Sequence, residues 1–182
     1  MTAQAMEKIF INGGKRYMAS EPLAAYLATL KERPKFFFPD TGCWRGYYGT
    51  WEIKENKLYL IDLECYTADL EKRVMSKHGM DFLFPMQKRV FAEWFTGELR
   101  IPEGDMLNYV HMGYESKYEI DSFISIEKGI VTGKRHVDNL VEMAKEIINE
   151  EKEIKPDNNG EINHPQKSFI RRIFGRYKAK RM

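Results

Sequence analysis

The chain is poor in the residues that announce a chemistry. Two cysteines, Cys43 and Cys65, occur in 182 residues, too few for the disulfide framework that staples small secreted domains. Reduced, buried thiols are expected instead. Four histidines, His78, His111, His136 and His164, stand far apart, without the short spacings of a zinc site. No metal and no cofactor is expected. The sequence holds no Walker-type phosphate loop, no dinucleotide fingerprint, no His-Glu-x-x-His and no Gly-x-Ser-x-Gly. No window approaches the ~18 apolar residues of a membrane span. Residues 1–10 include Glu7 and Lys8 where a secretory signal would be apolar. A cytoplasmic protein is the expectation.

Charge is nearly balanced at +2, but unevenly placed. Residues 167–182 carry seven basic groups and no acid, whereas residues 1–166 carry 22 basic and 27 acidic groups. An acidic body argues against nucleic-acid binding through a broad basic face. The tail, with Phe169, Ile170, Ile173, Phe174 and Tyr177 at helical spacing among Arg and Lys, is a basic amphipathic segment suited to a membrane surface, a nucleic acid or a partner.

Aromatic residues are abundant, at 13%, which favours a β-rich interior. The strongest local pattern runs from Trp44 to Glu64. Two arms of aromatic and branched residues flank Glu55-Asn56, and Asn tolerates the left-handed conformation of a tight turn. A two-residue loop there places Ile53 opposite Leu58, Trp51 opposite Leu60, Gly49 opposite Asp62, Tyr47 opposite Glu64 and Gly46 opposite Cys65. Side chains alternate between faces. Arg45, Tyr47, Asp62 and Glu64 would then share the core face at its open end, like the mouth of a pocket.

Elsewhere, Gly13-Gly14 reads as the turn of a first hairpin. Ser20 and Pro22 open a helix over 22–32 with Leu23, Tyr26, Leu27 and Leu30 on one face. Residues 36–38 (Phe-Phe-Phe) read as a short buried or extended stretch. Leu70, Val74 and Met75 mark a short helix within 66–80, the least legible part. Residues 90–96 read as a strand continued past Gly97, and residues 102–105 (Pro-Glu-Gly-Asp) as the turn that brings the chain back. That return sets His111 near Glu93 and Trp94, beside Tyr114 and Glu115. Such a group can act as acid or base, or hold an anion. In 118–126, Tyr118, Ile120, Ile124 and Ile126 read as inward and Glu119 and Asp121 as outward. Lys128-Gly129 turns a third hairpin, and Asp138 caps a second helix.

Three stretches carry a resemblance: Gly-Cys-Trp-Arg-Gly-Tyr-x-Gly-Thr-Trp-Glu-Ile at 42–53, Phe-Ala-x-Trp-Phe-Thr-Gly-Glu-Leu-Arg-Ile-Pro at 91–102, and Tyr-Val-His-Met-Gly-Tyr-x-Ser-x-Tyr-Glu at 109–119. Over about residues 8–140 the chain resembles a family of uncharacterised bacterial proteins. The resemblance implies a bacterial origin and assigns no catalytic residue.

The expected architecture is therefore α+β, with antiparallel hairpins in a twisted sheet or partly closed barrel, flanked by two helices, with a basic C-terminal tail. Residues 1–152 form one domain, 153–166 a polar linker and 167–182 the tail. Two functions are open. One is a non-enzymatic binding or immunity-type module with a protein partner. The other is an enzyme or binding protein for a small anionic ligand, using Arg45, Tyr47, Asp62 and Glu64, or Glu93, Trp94, His111, Tyr114 and Glu115.

Overall fold

A computed structural model describes residues 2–69 and 71–153 of the chain. The expected linker and basic tail lie outside the described residues. Residues 1–137 and 138–182 are two compact units. The first carries 19 basic and 19 acidic groups, so the acidic excess belongs to residues 138–166. The sheet unit itself is therefore electrically balanced, within a body of residues 1–166 that is net acidic. In the second unit, α2 spans Asn139–Glu153. Asp138 Oδ1 accepts from the Leu140 and Val141 N–H groups at 3.1 and 3.2 Å, a side-chain cap.

The first unit begins with β1 (Glu7–Ile11) and β2 (Gly14–Met18). Their turn is Asn12-Gly13, with φ 51° and 76°, one residue earlier than expected. Asn-Gly suits two consecutive left-handed positions and leaves Gly14 to start the strand. Then come α1 (Pro22–Thr29), β3 (Tyr47–Lys54) and β4 (Lys57–Asp69). Helix α1 is shorter than expected and Ser20 does not cap it: the cap residue is Glu21, with no side-chain cap bond. The Ser20 hydroxyl instead accepts from the Arg100 N–H at 2.9 Å. Residues 36–38 form no strand, and Phe38 is exposed rather than buried.

Residues 66–80 hold no α-helix but the end of β4 and β5 (Val74–His78). The Asp69 carboxylate accepts from the Glu71 and Lys72 N–H groups. That local turn folds the chain back and overrides the weak helical spacing. Strand β6 is only Val90–Phe91, and β7 runs unbroken through Gly97–Asn108. The expected turn at 102–105 is absent. Strand β7 ends the sheet order, and proline is tolerated on an edge. Pro102 pairs with Asp121, and one extra residue enters between Glu103 and Met106, around Gly104. Strands β8 (Lys117–Glu127) and β9 (Ile130–Asp138) complete the set.

Among the described residues the sheet has nine strands, mostly antiparallel, in the order β2-β1-β3-β4-β9-β8-β7, with β5 and β6 also on β4. It is not closed into a barrel. The pairing of β1 with β3 is parallel, Ile9 beside Trp51. The two end strands are linked where the Ala19 N–H meets the Arg100 carbonyl at 2.8 Å. Leu23 and Leu27 of α1 join Ile9, Trp51, Leu58 and Leu60 in the core. Trp51 is wholly buried, and burial of a large apolar side chain contributes about 2–3 kcal/mol.

In β8 the expected inward and outward sides are partly exchanged. Ile120 is exposed, whereas Glu119 and Asp121 are buried. Asp121 takes two bonds from Arg100, at 2.8 and 2.9 Å. The same guanidinium donates to the Tyr114 carbonyl at 2.6 Å and the Ser116 carbonyl at 2.9 Å. A bidentate fork plus two carbonyls offsets the desolvation that would otherwise expel these charges. Arg100 thereby pins the loop bearing Tyr114. Arg100→Ala is expected to lower stability by about 3 kcal/mol, and Arg100→Lys to recover little, since an ammonium lacks the planar fork. Urea denaturation measures both; a loss near zero for Arg100→Ala would contradict this role.

Candidate functional site

The hairpin of β3 and β4 has the expected two-residue turn, Glu55 and Asn56 both at positive φ. Ile53 pairs with Leu58 and Trp51 with Leu60, as the sequence indicates. The register then shifts between Thr50 and Trp51. Beyond it Thr50 faces Asp62, Gly49 faces Leu63, Tyr48 faces Glu64 and Tyr47 faces Cys65. A shift of one residue exchanges the faces of everything beyond it. Leu63 and Cys65 turn into the core with Tyr47, and Asp62 and Glu64 turn away. The group Arg45, Tyr47, Asp62 and Glu64 is thus divided between two faces. Both cysteines are free and buried. The Cys65 thiol is pushed up to about 11 by burial, which removes it from thiolate chemistry at neutral pH.

On the inner side, Arg45 joins residues the sequence did not single out. The Glu7 side chain has no exposed surface and that of Arg45 is 7% exposed. Arg45 Nε lies 3.3 Å from Glu7 Oε1 without a hydrogen bond between them, so this contact is Coulombic. Glu7 Oε2 accepts from Trp51 Nε1–H at 2.6 Å. Arg45 Nη1 donates to the Tyr114 hydroxyl at 2.7 Å, which donates in turn to Glu21 Oε1 at 2.9 Å. Arg45 Nη2 donates to the Ala5 carbonyl at 2.9 Å.

Opposing effects act on the charges here. Burial drives the Glu7 carboxyl upward, against the pull of Arg45 and the Trp51 and Gly49 donors. Burial also works against the Arg45 charge, but Glu7, Tyr114 and Glu21 outweigh it and hold the guanidinium protonated. Tyr47 and Tyr114 are pushed well above the ordinary phenol range, chiefly by burial. They stay neutral, so Tyr114 relays a hydrogen bond and carries no charge. The Tyr47 hydroxyl is buried with no hydrogen-bond partner among the described residues. A cation so enclosed fixes loops: it ties β1, the start of α1, the 40–46 loop and the 109–116 loop together. It does not present itself to a ligand.

On the outer side, Asp62 and Glu64 border a cavity of about 300 Å³ with Lys8, Tyr48 and Thr50. Glu64 is engaged by Lys77 and by the Tyr66 hydroxyl. Those two bonds hold its carboxyl below the usual range, while Glu64 pushes Tyr66 up to about 12.

The second expected group is dispersed. Trp94 packs on Tyr26 and Phe84 and donates to the Pro22 carbonyl at 3.1 Å. Glu93 is exposed. Because β7 continues where a turn was expected, it carries the chain onward at about 3.3 Å per residue. His111 therefore lies beyond its far end, exposed and paired with the Tyr109 hydroxyl. Glu115 is exposed as well. Only Tyr114 reaches Arg45. Glu7 and Glu21 were missed because Phe10 blurs the alternation of β1, and because Glu21 sits at a helix start where an acid needs no further explanation.

Exposed aromatic side chains lie on the loops around this buried cluster. Trp44 is 57% exposed and stacks on Phe38, 49% exposed, at 6.0 Å and 17°. Phe38 stacks in turn on Phe37 at 5.0 Å. Tyr109 and Met112 are exposed on the neighbouring loop. Gln4 joins the two loops: its side chain accepts from the Trp44 N–H at 2.9 Å, and its own N–H donates to the Gly113 carbonyl at 2.8 Å. Among the described residues no helix is long and apolar enough to cross a membrane. No protein-family model, no curated protein and no solved structure matches this chain.

Proposed function

We propose that the chain is a non-enzymatic binding module of the immunity or partner-neutralising type, and that it meets a protein partner through the aromatic surface around Trp44. The observation that supports this reading is the exposed stack of Trp44 on Phe38, beside loops that Arg45 and Arg100 tie to their neighbours by hydrogen bonds. Tryptophan at the centre of an apolar patch is the side chain that most often dominates a protein interface. A rigid base reduces the ordering that binding would otherwise require. The same enclosure of Arg45 counts against the alternative of an anion pocket at that residue.

The test is affinity capture from a lysate of the source organism, with wild type, Trp44→Ala and Met86→Ala as baits. Met86 is 96% exposed and serves as the control. A specific partner is expected with wild type and Met86→Ala and lost with Trp44→Ala, at the cost of more than 1 kcal/mol of binding that marks an interface hot spot. The Trp44→Ala unfolding midpoint should stay close to wild type. Equal recovery by all three baits would refute the assignment.

A further inference from the structure

A different cavity, of about 420 Å³, lies between the first hairpin and the inner face of β7–β9. Ile11, Ile101 and Ile124 form its apolar wall, and Arg16, Lys134 and His136 are at its edge. Asn12, Glu103 and Ser122 supply further polar groups. Its position follows from topology. The β1–β2 hairpin and the β7–β8 pair lie at opposite ends of the strand order, and the approach of β2 to β7 brings them face to face.

Ser122 is 6% exposed. Its hydroxyl donates to Glu103 Oε1 and stands 2.8 Å from His136 Nδ1. A hydroxyl has one proton. With that proton committed to Glu103, Ser122 can only accept from Nδ1–H, which leaves His136 Nε2 as the free ring nitrogen. Ser122 is thus not a nucleophile activated by His136, whose bond to it runs in the wrong direction. The trio is an ordered polar wall. Arg16 and Lys134 are exposed and enter no ion pair among the described residues. Arg16 Nη1 donates to the Lys15 carbonyl at 3.0 Å, and the two cations against the single carboxylate of Glu103 leave one positive charge at the edge of an apolar wall. The volume falls within the range of small-molecule sites.

We infer that this cavity binds a small organic monoanion, a carboxylate on a short apolar body. The body lies on Ile11, Ile101 and Ile124. The head group meets Arg16 and Lys134 in charge-assisted hydrogen bonds. This site is separate from the Trp44 surface, and either can fail without the other.

The experiment is titration of the full chain with octanoate, followed by amide chemical shifts, with octylamine as the probe of equal length and opposite charge. Saturable shifts at Ile101, Ser122, Ile124 and His136 are expected with octanoate and not with octylamine. The double variant Arg16→Gln/Lys134→Gln is expected to weaken octanoate binding about ten-fold or more with its unfolding midpoint preserved, since both side chains are exposed. The inference is overturned if octanoate produces no saturable shifts at these residues, if octylamine binds as well, or if the double variant binds like wild type.

Discussion

Glu7→Ala is expected to destabilise the protein by about 3–5 kcal/mol, the usual consequence of removing one member of a buried ion pair. The loss is large because Arg45 stays enclosed, at 7% side-chain exposure, with Glu21 as its only remaining carboxylate among the described residues. Trp51 Nε1–H also loses its acceptor in a site with no water contact. Glu7→Gln keeps an oxygen for Trp51 and should cost less. In Glu7→Ala/Arg45→Met the stranded charge is gone, so the double variant should be more stable than the sum of the two single losses. Urea denaturation of all four proteins measures the coupling, and strictly additive losses would show that the pair does not act as a unit.

The same carboxyl gives a pH signature. Burial raises the folded-state value of Glu7 above 4.5, its ordinary value. In the window just above 4.5 the folded protein holds a proton that the unfolded chain has released. Stability from this group is therefore fully present below the ordinary value and declines as pH rises through the folded one. Comparing wild type with Glu7→Gln across that window isolates the slope, which the variant should lack. A wild-type advantage that grows with pH there would reverse the sign and contradict the assignment.

Gly49→Ala is the second substitution with a large expected effect, about 3 kcal/mol, from overpacking combined with a broken hydrogen bond to a buried charged group. An added methyl would stand 2.5 Å from Trp51 Nε1 and 2.7 Å from Glu7 Oε2, the two atoms already joined at 2.6 Å. Neither can retreat, because both side chains are fully buried. Gly49 is not in the left-handed region, so the cost is steric. Gly13→Ala is the contrast: nothing lies within 4 Å, but its φ is +76°, and the backbone penalty alone is about 1 kcal/mol. Equal losses for the two variants, read from their urea midpoints, would mean that the Glu7–Trp51 contact is not tightly packed.

The aromatic arms, the Glu55-Asn56 and Lys128-Gly129 turns and the α+β class were all legible in the residues. Each is decided by neighbours close along the chain. Alternation fixes a face, and an Asn or Gly at positive φ fixes a turn. The pairing of Trp51 with Leu60 follows from those alone. The pocket expected at Arg45, Tyr47, Asp62 and Glu64 fails one step further on. An extra residue beside Thr50 costs little locally, and no local signal marks it, yet it turns Asp62 and Glu64 outward.

Sequence alone thus set which segments are strands near their turns, and that the thiols would be buried and unpaired. Tertiary structure decided what the charged residues do. Glu7, Glu21, Arg45 and Tyr114 come from distant points in the chain and meet only when β1 lies parallel to β3 and Arg100 draws in the 109–116 loop. Ser122, Glu103 and His136 likewise converge only when three strands align. A buried charge is tolerated only where its partners are already in place, and no stretch of sequence contains that information by itself.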